Sequence, residues 1–352
     1  MRAAVMRGQN NIVVDDVPDP VAGTGQILAK TLACGICGSD LHFLRFADQM
    51  VALGDEMGPL SPTQKLDVGS DIIMGHEFCA EVLEVGPDTN ANVAPGDYVV
   101  SMPVMVTDFT DLSSIEPIGA YSNRYGGAYS EMLLLSSILT IKIPNGLDPR
   151  HAAMTEPMAV GVHAVNRSGI KQGDAAVVLG AGPVGLAVIA GLKQKGIEPI
   201  VAADFSPKRR ALAAMMGAHK VVDPRSEPAI EAWRRIDGAK PLVIFEAVGV
   251  PGMLDQAMKD APRQGRVLVV GACMESDTVR PLIGVGKELE IRFALGYDPM
   301  EFGSTLRSIA EGEFNVAPLI TGSVGISGVP QAFTDLSNPE AHCKILVEPS
   351  LD

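Results

Sequence analysis

From about residue 153 to 296 the chain alternates apolar runs with helical stretches, and this rhythm limits the possible folds more than any other feature. "AAVVLG" leads into "PVGLAVIAGLKQKG", "PIVAADF" into "SPKRRALAAMMG", and "HKVVD" into a Glu/Arg-bearing stretch around Trp233. "PLVIFEAVG" then precedes "MLDQAMKDA", and "GRVLVVGA" precedes a last strand near "LEIRFALG". Continuously apolar strands joined by helices predict a parallel sheet covered on both faces, the doubly wound α/β arrangement.

The flanking sequence has another texture. Short β-branched runs cut by Gly and Pro ("NIVVDDVPDP", "GQILAKTLA", "CAEVLEVG", "GDYVVSMPV", "AYSEMLLL") predict a β-rich, partly barrel-like domain. After residue 297 a helix ("MEFGSTLRSIAEGE") and a closing strand ("CKILVEP") return to that texture. A chain of 352 residues exceeds one typical core. Two domains are therefore expected, one from 1–152 with 297–352 and one from 153–296. The Gly/Pro/Asp-rich segment from about 45 to 72 reads as an excursion of the kind that forms lids or binding loops.

Within the alternating region, "VVLGAGPVGLAV" carries Gly180, Gly182 and Gly185 as G-x-G-x-x-G between a strand and a helix. The first glycine permits a tight turn, the second lets backbone approach a pyrophosphate, and the third lets helix pack on strand. Pro183 and Val184 open the helix whose N-terminus faces the phosphates. Asp204 ends the next strand, nineteen residues past Gly185. There it can accept hydrogen bonds from both adenosine ribose hydroxyls and would repel a 2′-phosphate, which favours NAD over NADP. Lys208, Arg209 and Arg210 follow. Arg209 joins the cofactor-binding candidates, although a solvated helix face also explains the three basic residues.

A net charge of −14 without a Lys/Arg stripe excludes a phosphate-backbone partner, so nucleic acid is not expected. No run of about twenty apolar residues suggests a membrane span, and the N-terminus turns polar and acidic too early for a signal peptide. A cytoplasmic location is the resulting expectation. Five scattered cysteines speak against a disulfide framework. Cys79, Cys273 and Cys343 lie in apolar runs and read as buried small hydrophobes.

"LACGICGSDLH" raises a sharper question, because Cys34, Cys37, Ser39, Asp40 and His42 crowd into nine residues. His76 and Glu77 follow in "MGHEF", and Glu156 in "TEPMAVGVHAV". Each alone admits a structural role: a core histidine, a helix-starting acid, a packed thiol. Their order and spacing point elsewhere. "CGICGSDLH", "GHEF", "EPMAVGVHA" and "GAGPVG" resemble the zinc-containing medium-chain alcohol dehydrogenases, and the likeness runs from "GQILAKTLACGICGSD" through "GGAYSEML" to "KILVEP". Within that family the chain is most similar to the sorbitol, butanediol and threonine dehydrogenase branch.

The resemblance implies a GroES-like β-rich catalytic domain beside a Rossmann NAD-binding domain. It implies Cys37, His76 and Glu156 as ligands of one catalytic zinc, with Glu77 ligating or standing beside the ion. Three protein ligands and an open position are what a catalytic zinc needs. Asp40 resembles the carboxylate that orients the histidine, Ser39 and His42 the two ends of a proton relay, and Cys34 matches no ligand. The substrate implied is a small secondary alcohol or diol and its ketone, and the assembly a homodimer or homotetramer paired through the last strands of the dinucleotide sheet. No cysteines stand in "VVSMPVMVTDFTDLSSIEPIGAYSNRYGG", where many relatives bind a structural zinc, so none is expected. Gly38 replaces an arginine that contacts cofactor phosphate in liver-type enzymes. Gly296 and Phe43 replace polar sugar-binding groups and predict a less polar pocket. Competing expectations are a zinc-free enone or quinone reductase, which Cys37, His76 and Asp204 disfavour, and a non-catalytic binding protein on the same fold.

Overall fold

The apolar runs of the alternating region form one six-stranded parallel sheet in a computed structural model that describes residues 1–58, 66–106, 115–144 and 146–352. Its order is Lys220–Val222, Ile200–Ala203, Ala175–Leu179, Leu242–Glu246, Arg266–Val269, Glu290–Phe293. The winding reverses between Ala175–Leu179 and Leu242–Glu246. In such sheets ligands bind in the crevice at the carboxyl ends of the strands flanking that switch. Both strands are buried along their whole length. One apolar cluster, with Leu186, Ile189 and Phe245, covers one face, and another around Trp233 covers the other.

The second large sheet runs Thr140–Lys142, Tyr98–Ser101, Glu77–Val85, Gln26–Gly35, Lys344–Val347, Ile320–Val324, with Met132–Ser136 also paired to Gln26–Gly35. The two C-terminal strands thus join the sheet built by the first 150 residues. Register here builds the site. Gly35 lies opposite Glu77 and Cys34 opposite Phe78 on one side, while Leu346 and Val347 lie opposite Gly35 and Cys34 on the other. The chain leaving Gly35 toward Cys37 therefore emerges beside His76 and the start of the last strand.

Two expectations change. The excursion is helix in its first half: Gly38–Met57 is one element, kinked at Phe46, where φ is −130°. Phe43 and Ala47 are its buried anchors, so apolar spacing overrides the Gly and Asp content. Residues 59–65 of that segment lie outside the described residues, as do 107–114 of the cysteine-free stretch. Cys79 and Cys343 are buried, but Cys273 is exposed. The strand before it stops at Val269, and the chain then turns away as Val270 and Gly271 donate to the Glu246 carbonyl.

A close helix contact ties the two sheets' functional ends together. The helix Thr155–Arg167, with Glu156 in its first turn, packs on Pro183–Gln194, which begins at the glycine loop. Gly161 makes this possible, since a Cβ there would clash with the backbone of Ala187 and Val188. Among the described residues no helix is long and apolar enough to cross a membrane.

Candidate functional site

The helix Gly38–Met57 starts where the strand Gln26–Gly35 has delivered Cys37. Cys37 N–H donates to Asp40 Oδ2 at 2.9 Å, so an acid in the first turn fixes the thiol-bearing residue at the helix entrance. Tyr129 O–H donates to the same oxygen at 2.6 Å. The other oxygen, Oδ1, stands 3.3 Å from His76 Nδ1. This leaves His76 Nε2 facing the opposite way, 3.4 Å from Ser39 Oγ. Asp40 is wholly buried. Burial works to raise its pKa, yet His76, Tyr129 and the Cys37 N–H outweigh it and hold the carboxylate ionised.

Cys37, His76 and Glu77 offer a sulfur, a ring nitrogen and a carboxylate oxygen within 4.8 Å of one another. That soft-plus-imidazole donor set suits zinc. The groups behind the donors fit too. Asp40 Oδ1 and His76 Nδ1 are buried and face each other, but make no hydrogen bond of good geometry. A metal at Nε2 fixes the tautomer in which Nδ1–H donates to Asp40.

Glu77 has a second engagement. Its two carboxylate oxygens take Lys344 Nζ at 2.7 and 2.6 Å, and the same ammonium donates to Ile36 O at 3.0 Å. Burial opposes the Lys344 charge, but Glu77 and Cys37 prevail and its pKa is raised. Glu156 stands slightly apart and is absent from the 4.8 Å group. Burial pushes it up to about 7, with Glu77 adding to the rise and His76, Tyr297 and Lys344 opposing it. Cys34 is fully buried, and its thiol is raised well above the ordinary range by burial, then by Asp40 and Glu77, so it packs rather than reacts. His42 is one turn beyond Ser39; burial and then Arg45 lower its pKa, leaving a neutral imidazole at pH 7.

The glycine loop sits at the switch point. Gly180 has φ +90°, and a Cβ on Gly185 would strike the Gly180 carbonyl. Gly182 precedes Pro183 at the helix start, and a helix N-terminus offers N–H donors to an anion. Asp204 fastens the loop, its Oδ2 accepting from Ala181 N–H and its Oδ1 from Ser206 N–H, both at 2.8 Å. Within the basic run Lys208 is exposed, whereas Arg209 and Arg210 are half-buried. Arg209 has a buried Nε and places Nη1 3.9 Å from the Cβ position of Gly182. Arg210 donates to the carbonyls of Asp204 and Phe205 and to Asp223. Glu246, nearly buried, accepts from Val248 and Gly249 N–H and shapes the facing loop.

Lys344, Tyr129, Tyr121 and Tyr297 were not singled out from sequence. Lys344 reaches Glu77 across 267 residues and Tyr129 reaches Asp40 across 89. Both stand in runs that carried the family likeness, yet an isolated lysine or tyrosine gives no local sign of so distant a partner. Phe43 is fully buried under Tyr121, ring centroids 5.3 Å apart and edge-on.

A parallel-sheet domain with a glycine loop, beside a β-rich domain with a thiol–imidazole–carboxylate cluster, has the architecture of a two-domain dehydrogenase. Comparison with known proteins agrees. Residues 23–145 match the family model of the alcohol dehydrogenase GroES-like domain, and 183–311 that of the zinc-binding dehydrogenase. The chain is 32% identical over 362 residues to (R,R)-butanediol dehydrogenase of Bacillus subtilis (strain 168), covering 99% of this chain and 100% of that protein. The crystal structure of 2R,3R-butanediol dehydrogenase from Bacillus subtilis superposes with a TM-score of 0.83 at 31% identity, over 99% of each chain. A Sinorhizobium meliloti 1021 protein classed as a zinc-binding dehydrogenase, and solved bound to NADP, gives a TM-score of 0.82 at 26% identity over 99% of each. The chain belongs to the zinc-containing medium-chain alcohol dehydrogenase family, a family of oxidoreductases.

Proposed function

We propose that this protein oxidises a secondary alcohol or diol to the ketone, with zinc and NAD as cofactors, and catalyses the reverse reduction. The observation that carries the proposal is the grouping of Cys37, His76 and Glu77 within 4.8 Å beside Ser39. Cys37, His76 and Glu156 would hold the zinc, with Glu77 ligating or standing beside it. Zinc so held supplies Lewis acidity toward the alcohol oxygen. NAD, when bound, would supply the hydride acceptor. The chain's own residues handle the proton. Ser39 receives it from the alcohol, and His42, neutral at pH 7, passes it on to solvent. Asp40, itself held by Tyr129, stands 3.3 Å from His76 Nδ1, where it would orient the imidazole.

Gly180, Gly182, Pro183, Val184, Gly185, Asp204 and Arg209 would bind the dinucleotide. Asp204 supports NAD over NADP, because its fixed carboxylate lies beside the loop a 2′-phosphate would approach. We expect wild-type kcat/KM to favour NAD over NADP by roughly tenfold or more, and Asp204→Ala to lower that ratio by at least roughly tenfold. A wild-type preference for NADP would overturn the assignment.

The domains would divide at 152/153 and 296/297. Two copies would join through the unpaired sheet edge Glu290–Phe293, where Phe293, Leu295, Leu282 and Val285 are exposed. Sedimentation as a monomer at micromolar concentration would contradict this pairing. The direct functional test is NADH formation across secondary alcohols, vicinal diols, cyclic alcohols and polyols. Turnover of a secondary alcohol or diol is expected, and no turnover of any of them would overturn the proposal.

A further inference from the structure

Two acids stand side by side at the carboxyl ends of the six-stranded sheet, and only Asp204 has a role in the scheme above. Strands Ile200–Ala203 and Lys220–Val222 pair in parallel with Ala203 opposite Val222, so Asp204 and Asp223 leave the sheet at the same level. Asp204 N–H donates to Val222 O at 3.3 Å, which keeps the two chains together past the last paired residues. Cations crowd the same place. Lys208, Arg209 and Arg210 all fall near the start of the helix Pro207–Met216, where the helix dipole disfavours positive charge. Arg225 adds a fourth from the turn that follows Asp223. Guanidinium groups thus gather beside the acid that would meet the adenosine ribose. In sheets of this kind an arginine near that acid accommodates a 2′-phosphate.

Asp223 engages two of these groups. Its Oδ1 accepts from Arg225 Nε at 2.9 Å and from the Arg225 backbone N–H at 3.0 Å. Its Oδ2 accepts from Arg225 Nη2 at 2.6 Å and from Arg210 Nη1 at 3.2 Å. The carboxylate therefore forms a bidentate pair with one guanidinium and a single bond with the other. Both arginines also donate to backbone. Arg210 Nη1 reaches the carbonyls of Asp204 and Phe205 at 2.8 and 2.9 Å, and Arg225 Nη2 the Phe205 carbonyl at 2.8 Å. The Arg225 guanidinium lies over the Phe205 ring, 5.5 Å from its centroid. The two differ in what Asp223 contributes. Without it Arg210 keeps two carbonyls and a side chain only 20% exposed, whereas Arg225, 64% exposed, keeps one carbonyl and a ring face.

We infer that Asp223 is a second determinant of cofactor choice, which ties Arg225 to its own carboxylate and so withholds the guanidinium that would otherwise bind a 2′-phosphate. Asp204 repels the phosphate, and Asp223 denies it a partner. The inference rests on the NAD assignment proposed above. Removing Asp204 alone then relieves the repulsion without supplying a ligand for the phosphate.

The test is nucleotide binding to the metal-loaded full chain, read by the fluorescence of NADH and NADPH. It compares wild type, Asp204→Ala, and Asp204→Ala carrying Asp223→Asn, Arg225→Met or both. Asparagine keeps an acceptor for the Arg225 backbone N–H and removes the charge. Against the Asp204→Ala parent, Asp223→Asn should tighten NADPH roughly tenfold and leave NADH within about twofold. Arg225→Met alone should leave NADPH within about twofold, because the tied guanidinium does not serve the phosphate. Added to Asp223→Asn, it should cancel the gain. Four results would each overturn the inference: no NADPH gain from Asp223→Asn, an equal gain for NADH, a gain that survives Arg225→Met, or weakened NADPH binding in Arg225→Met alone. Retained NADH binding shows that a variant is folded. If Asp223→Asn loses it, Asp223→Ala takes its place, and loss in both would make Asp223 a support of the loop and overturn the inference. A wild type that binds NADPH more tightly than NADH removes the NAD assignment and this inference with it. A wild type that favours NADH, with no response to Asp223→Asn, removes only the role of Asp223.

Discussion

Cys37→Ser is expected to leave the fold intact and to lower kcat/KM by roughly a thousandfold or more, with loss of bound zinc. Cys37 sits at a helix entrance, where serine is a favourable residue, and the Cys37 N–H bond to Asp40 does not involve the side chain. What the substitution removes is the sulfur of the three-donor group. A hydroxyl is a poor replacement for thiolate toward zinc, and His76 with a carboxylate cannot hold the ion alone at comparable strength. Cys34→Ser serves as the contrast. Its thiol is fully buried and is not one of the three grouped donors, so the variant should keep its zinc. Metal analysis and steady-state rates on both variants decide the matter. Retained zinc and activity in Cys37→Ser would contradict the site assignment.

The largest effect on stability is expected at Lys344. Its ammonium and the Glu77 carboxylate are both buried, and the pair bridges the strands Glu77–Val85 and Lys344–Val347 on either side of Gln26–Gly35. Gly35 between them leaves no room for any side chain, because a Cβ there would strike the Glu77 carboxylate. Lys344→Met conserves most of the volume but strands a buried carboxylate, at a cost of about 3–5 kcal/mol. Spread over a lobe of this size, that lowers the thermal midpoint by about 10 °C. Adding Glu77→Gln removes the orphaned charge and should recover much of the loss. Thermal unfolding of the two variants separates the effects. A midpoint for Lys344→Met within about 2 °C of wild type would show that the pair is not the buried tie described here.

The fold was legible where local pattern and packing agree. Continuous apolar strands such as "AAVVL" are buried on both faces, and the G-x-G-x-x-G turn needs its glycines for reasons of space that neighbours in sequence impose. Legibility failed where partners come from far along the chain. The segment after His42 looked like loop because Gly54 and two aspartates interrupt it, but Phe43 and Ala47 find a core that sequence alone does not display. Cys273 looked buried because it follows an apolar run, yet the run ends at Val269.

The site divides in the same way. Cys37, Ser39, Asp40 and His42 share one helix, and the pairing of Gly35 with Glu77 brings His76 to them. Glu156 comes from another helix and stays outside the tight donor group. Lys344 and the tyrosines 121, 129 and 297 act through contacts between strands, loops and helices that no short motif records. These added residues include a buried lysine that holds the Glu77 carboxylate and a tyrosine that holds Asp40.

The most direct measurement of the central claim is NADH formation from a secondary alcohol or diol by protein stripped of metal with a chelator, dialysed, and titrated with zinc. The stripped protein should be inactive, and activity should return linearly to a plateau at one zinc per chain. Full activity without added metal, or no return of activity at any zinc concentration while the protein remains folded, would contradict it.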